Sequence, residues 1–313
     1  MVMMSFSKMT AGSGWDYLIR NTVNADRDRS SVEKLTEYFL GSGVPAGVWM
    51  NMGADTQSVS GAVSQTQMAA LFGNGWDPNA QQVIVGQLAG VGSHGARMAA
   101  ARRALKQVQL GRAMAGCQRS PEQLVAMIEA GTHVAQLRVG RVLDGVEMRT
   151  VVAQAARKFI EQVPTDAEGR ADAGGGRAAV TGYQMTFSPA KSVSVAWALG
   201  DERVVGAIEA AHEQALTSAL GFMRDQAVFS RRGVDGAATI DVTSLWAQRF
   251  RHWTNRDDEP DIHDHVTIAN RVMCSDGRWR TLDGRFLHKW AVAASEFYNR
   301  HLADNLRLSL IHI

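Results

Sequence analysis

The chain predicts an α+β protein with a mainly antiparallel sheet, and three observations carry that prediction. Strand-like segments beyond residue 180 are joined by hairpin turns, long amphipathic helices accompany them, and an Ala-rich helical run precedes them without internal repeats. At 313 residues, 45% of them hydrophobic, the chain can bury one large core or two small ones.

Taken in order, "SFSKMTAGSGWDYLIRNTV" reads as a short strand, a glycine turn and a helix start. "SSVEKLTEYFLGSG" follows as an amphipathic helix, opened by Ser30 or Ser31 and stopped at Gly41 and Gly43. After the loop-rich "VPAGVWMNMGADTQSVSG", the pattern is helical from about Gln65 to Gln162. "TDAEGRADAGGGRAA" then breaks it; its glycines match no phosphate-cradling motif, so it reads as a surface linker. "GYQMTFSPAKSVSVAWAL" holds a strand, a Pro-marked turn and the start of a helix or second strand, and "DERVVGAIEAAHEQALTSALGFMRDQ" is an amphipathic helix. "AVFSRRGVDGAATIDVTSLWAQRFRHWTN" reads as two strands around a Val-Asp-Gly turn. "HDHVTIANRVM", "CSDG" and "RWRTLD" form a further hairpin before a closing helix. "LSLIHI" carries no helix-ending signal, so residues 307–313 are expected to be a truncated or foreign tail.

Bulk chemistry narrows the function only a little. The 33 basic residues (27 Arg and 6 Lys) nearly cancel 31 acidic ones, a weak pull toward polyanions. The Arg excess suits bidentate phosphate contacts, but a GC-rich genome also inflates Arg and is the simpler cause. Cys117 and Cys274 make neither a disulfide framework nor a zinc knuckle. The absence of a long apolar run or a leader-like start predicts a soluble, cytoplasmic protein.

The chemical signal is the histidines. His252, His263 and His265 fall within fourteen residues, in a chain holding nine. On a strand His263 and His265 share one face, and a paired strand brings His252 to them, which makes a partial metal shell with open positions. Half-buried strand histidines can also simply bond to nearby backbone. Imidazole in place of Val or Ile is costly unless satisfied, and that favours the metal. Three imidazoles suit Zn, Mn, Co, Ni or Fe.

Arg251, His252, Arg256, Pro260, His263 and His265 match the pattern R-H-x-x-x-R-x-x-x-P-x-[LI]-H-x-H, which resembles the histidine motif of conjugative relaxases of the TrwC/TraI (MobF) type. "TFSPAKSVS", "DGRWRTLDGR" and the N-terminal "GSGWDYLIRNTV…LTEYFLGSGVPAGVW" are similar to other segments of that family, in the same order. The resemblance implies an HUH endonuclease: a palm-like antiparallel sheet with flanking helices that nicks single-stranded DNA at a transfer origin. It implies a tyrosine joined to the 5′ phosphate and a divalent metal (Mg, Mn or Zn) on the three histidines. Its full-length members add a C-terminal helicase and work with conjugation accessory proteins. The relaxase domain is expected over residues 1–306, with a helical insertion at about 65–165 and a linker at about 164–179.

Tyr17 stands at the family's nucleophile position. Tyr38 is either a second nucleophile or part of a helix core face, and the two readings stay open. The resemblance places Lys191, Arg251 and Arg256 near phosphates. Trp15, Trp246, Trp253 and Trp279 lie near the motifs, as core residues or as stacking platforms for single-stranded bases. Where the family carries Asp, two residues before Thr-Phe-Ser, this chain has Gln184, which can orient a partner but cannot take a proton. Asp261, two residues before His263, could replace that acceptor or be a solvated loop residue. Two rivals remain: a metal-dependent hydrolase using water, and a weakened DNA-binding relic.

Overall fold

A computed structural model describes residues 4–12, 15, 16, 18, 47–51, 59–111, 119–162, 179–255, 257 and 259–310. Tyr17, Tyr38, Arg256, Cys117, the expected helix at 30–43 and the linker glycines lie outside them. The chain divides into two compact units, residues 1–8, 17–62 and 183–313 in one and 9–16 and 63–182 in the other.

The second unit is helical, as the Ala-rich run predicts. α1 (Gln65–Met68) passes into a π-helical turn over Ala69–Asn74, followed by α2 (Ala80–Leu88), α3 (His94–Val108), α4 (Pro121–Val139) and α5 (Gly145–Glu161). Their ends follow local chemistry. Ser120 caps α4 with Pro121 in its first turn, and Gly140, at φ 70°, closes it in the left-handed region that L side chains avoid. Asp144 and Glu147 form a reciprocal capping box at the start of α5. The α5 stripe Val152, Ala156, Phe159 and Ile160 is buried, and Phe159 stacks on Trp76 at 6.0 Å.

The first unit holds most of the sheet. Its strands are β1 (Met4–Thr10), β2 (Val48–Asn51), β3 (Val180–Phe187), β4 (Phe229–Arg232), β5 (Ala238–Thr254), β6 (Pro260–Cys274) and β7 (Trp279–Arg280). They run in the order β1-β3-β6-β5-β2, with β4 on β5 and β7 on β6. Hairpin-linked β4, β5, β6 and β7 pair antiparallel, as their turns predict. The Pro-marked turn after β3 opens a helix, α6 (Lys191–Leu199), rather than a second strand. Asp201 then caps α7 (Glu202–Ala227), whose buried stripe runs Ile208, Ala211, His212, Ala215, Leu216, Ala219 and Met223. The closing helix, α8 (Gly284–Leu310), keeps its helical form through positions 307–310. It packs along α7 and contributes Tyr298, which meets Phe187 of β3 at 5.4 Å between ring centres. Among the described residues no helix is long and apolar enough to cross a membrane.

A close approach between β2 and β5 supports the strand that carries the histidines. Gly47, just before β2, lies against the ring of Phe250, where a Cβ would collide. Phe250 is the cross-strand partner of His265. Gly47→Ala should therefore displace a fully buried ring and cost about 1–3 kcal/mol of stability, read as a lowered thermal midpoint. An unchanged midpoint would mean that this contact relaxes freely.

Candidate metal centre

The β5–β6 ladder builds the site. His252 pairs directly with His263, and Phe250 with His265, so all three imidazoles leave one face of the sheet. Their ring centres lie 4.8 to 5.1 Å apart with planes 67° to 88° from parallel. One ring nitrogen from each falls within 4.8 Å of the others. Edge-on rings around a common point aim lone pairs inward rather than stacking their faces.

Hydrogen bonds say which nitrogen each ring offers. His263 Nδ1 donates to the backbone carbonyl of Asp261 at 2.8 Å, leaving its Nε2 as a lone pair. His265 Nδ1 lies 2.9 Å from Thr186 Oγ1, which can accept its proton, and 2.6 Å from Gln184 Nε2, both on β3. The amide's O and N are exchangeable by a half-turn about χ3; with Oε1 in place of Nε2 it too accepts the Nδ1 proton, and Nε2 of the ring is again free. His252 Nε2 is buried with no hydrogen-bond partner. An orphaned imidazole nitrogen is costly, and a cation drawing on its lone pair satisfies it. The residues present therefore fit a divalent ion held by three imidazole Nε2 atoms.

Electrostatics agree. Burial pushes His252 down to about 4, helped by His263, and His265 down to about 3, helped by His252 and His263. Both rings are neutral at neutral pH, the protonation state a metal ligand needs.

The other sequence-predicted residues divide. Gln184 reaches the triad as an orienting group. The Asp261 carboxylate stands 3.6 Å from His263 Nδ1 and accepts from Ser188 Oγ at 3.3 Å, so it is not a free loop residue. Lys191 Nζ donates to Glu259 Oε2 at 2.7 Å and to the Pro260 carbonyl at 3.0 Å. Ser188, just after β3, and Lys191, which opens α6, thus both bond to the start of β6. Arg251 is not brought to the triad. Alternation turns it to the opposite face, where Asp264 and Glu213 take up its guanidinium; the expected place beside phosphates gives way to a buried ion pair. Trp246 stacks on Trp279 at 4.8 Å and Trp253 on Trp197 at 5.1 Å; Trp15 and Trp246 are buried, while Trp253 and Trp279 stay half-exposed.

Sequence reasoning passed over Thr186 and Asp264. Asp264 was discoverable: a residue between two same-face histidines must point to the other face, and a buried carboxylate needs partners.

Comparison with known proteins places this architecture. The family model described as TrwC relaxase matches residues 11–311. Two curated proteins named multifunctional conjugation protein TraI, from Escherichia coli and from its strain K12, are 36% and 35% identical over 122 residues. Each match spans 38% of this chain and 6% of the relative. A copper-bound structure of the conjugative relaxase TrwC in complex with oriT DNA is similar in fold, at TM-score 0.50 and 19% identity, covering 97% of this chain and 70% of that one.

A pH dependence follows from the depressed histidines. The unfolded chain protonates His252 and His265 near 6.5 while the fold holds out to about 4 and 3. Stability is therefore complete above pH 6.5 and falls as pH drops toward 4, because only the unfolded state gains protons in that window. Without metal, chemical denaturation should show a slope approaching roughly 2.7 kcal/mol per pH unit for the two groups. His265→Asn should roughly halve it; a flat profile would contradict burial of these rings.

Proposed function

The chain belongs to the TrwC relaxase family, and from that premise we propose that it is a conjugative relaxase, a site-specific DNA strand transferase that nicks single-stranded DNA at a transfer origin. The observation that carries this reading is the convergence of three imidazoles on one sheet face, with His252 Nε2 buried and unsatisfied. A divalent ion (Mg, Mn or Zn) held by His252, His263 and His265 would supply Lewis-acid polarisation of the scissile phosphate.

The protein's own groups do the rest. Tyr17, by its place in the family motif, is the proposed nucleophile. Its oxygen forms a bond to phosphorus as the bond to the 3′ oxygen breaks, and the departing oxygen takes up a proton. The product is a 5′-phosphotyrosyl adduct. It retains a phosphodiester, so the strand can be resealed without an outside energy source, an option that attack by water discards. A phenol is almost wholly protonated at neutral pH and needs an acceptor. Gln184 cannot serve, and the Asp261 carboxylate, within reach of His263, is the proposed replacement. Tyr38 is the proposed second tyrosine.

Lys191 and Arg256 are the proposed phosphate contacts. Lys191 holds an exposed ion pair with Glu259, which DNA can displace. Single-stranded origin DNA is the partner, met in the cytoplasm. In longer relatives a C-terminal helicase and conjugation accessory proteins complete the machinery. Residues 1–306 are proposed as the strand-transfer domain, with the helical run at about 65–165 as an insertion in it.

Labelled oligonucleotides spanning the element's origin, incubated with Mn²⁺ and run on a denaturing gel, test this reading. We expect a covalent protein–DNA band. Free cut product alone would indicate a hydrolase, and binding without cutting a relic. Tyr17→Phe removes only a hydroxyl, so the adduct should vanish while DNA affinity survives. Full adduct yield would shift the nucleophile to another tyrosine, Tyr38 first. His263→Ala should cut cleavage by about a hundredfold or more while leaving DNA affinity within a few-fold. Equal loss of both would count against a metal role.

A further inference from the structure

The strands that carry the triad have a second face, and the charge there takes no part in the proposed reaction. Arg251 and Asp264 are cross-strand partners, adjacent to the His252–His263 pair and turned away from the imidazoles. Asp264 is fully buried. Its carboxylate accepts from His212 Nε2 at 2.8 Å, from Arg251 Nε at 3.2 Å and from Arg251 Nη2 at 2.9 Å. Behind His212, its Nδ1 lies 2.7 Å from the buried Tyr298 hydroxyl. Arg251 and Arg249 both reach Glu213. His212 and Glu213 of α7 therefore grip β6 and β5 behind the ligands, and Tyr298 of α8 backs His212.

Stability alone does not explain such a network. A buried ion pair scarcely recovers its desolvation cost, and apolar residues of the same volume commonly do as well; its best-attested use is to select one register. Register is at stake here. The β5–β6 ladder shifts between His252 and Thr254, so the His252–His263 and Arg251–Asp264 pairs stand beside an irregularity. A slip of one residue would turn an imidazole to the wrong face. Asp264 also sits between two ligands in sequence, so its backbone orientation sets both.

We propose that Asp264, held by His212 and Arg251, is a positioning residue of the metal centre: the buried network locks the strand register and backbone that converge His252, His263 and His265. It touches neither metal nor DNA, and it acts through the strands. The inference rests on the triad's holding a divalent ion.

Titration with Co²⁺, followed by calorimetry and by the visible d–d bands, tests both levels. Wild type should bind one ion. Asp264→Asn keeps the shape but not the charge that both donors need, so affinity should fall about 10- to 100-fold, with altered d–d bands. His212→Leu should lose a similar factor. His212→Gln, whose amide can still donate to Asp264, should recover most of it. Ile268→Val, on the same sheet face beyond the network, controls for loss of packing and should keep wild-type affinity and spectrum. If Asp264→Asn does not fold, as judged by circular dichroism, the two His212 variants decide the question. A folded Asp264→Asn with wild-type affinity and spectrum overturns the positioning role while the metal reading stands, and so does a His212→Gln no better than His212→Leu. A wild type that binds no divalent ion overturns the metal reading and this inference with it.

Discussion

The structure turns on one antiparallel register, in which His252 stands opposite His263. Side chains on paired strands alternate between faces with period two, so this pairing sorts the motif residues without further instruction. His252, His263 and His265 go to one side, and Arg251 and Asp264 to the other. One side becomes a candidate metal centre and the other a buried ion-pair anchor against α7. Two chemistries that would interfere in one space are separated by the thickness of a sheet.

Each side answers a different desolvation problem. On the ligand side burial disfavours charge, so His252 and His265 stay neutral and offer lone pairs. On the anchor side burial also pushes the Asp264 carboxyl up, but hydrogen bonds from His212 and Arg251 outweigh it and hold the group well below the usual carboxylate range. Neutral donors suit a cation that brings its own charge. A buried anion needs partners, and β5 supplies Arg251 while α7 supplies His212.

The outer contacts of the ligands come from segments that look unrelated in sequence. β3 delivers Gln184 and Thr186 to His265, and the turn after it delivers Ser188 and Lys191 to the start of β6. This explains why "TFSPAKS" and the histidine motif belong together. The first orients the second, through bonds that hold an imidazole's tautomer and the path of the strand that carries it.

Periodicity and turn chemistry determined much of this in the sequence alone: the α+β class, the helical run after Gln65, the hairpins after residue 228 and the shared face of His263 and His265. These are local properties, set by which residues alternate and which ones stop a helix. Tertiary structure decided what depended on partners distant in sequence. Arg251 looked free for phosphate until Asp264 and Glu213 claimed it. The tryptophans near the motifs could be core residues or base platforms in the sequence, and the fold stacks Trp246 on Trp279 and Trp253 on Trp197 and buries Trp15. His212 was one residue of an amphipathic stripe until it met Asp264, 52 positions along the chain. A side chain's chemistry is written in its own identity, but its job depends on which charge or lone pair lies within about 3 Å, and only the folded chain brings those groups together.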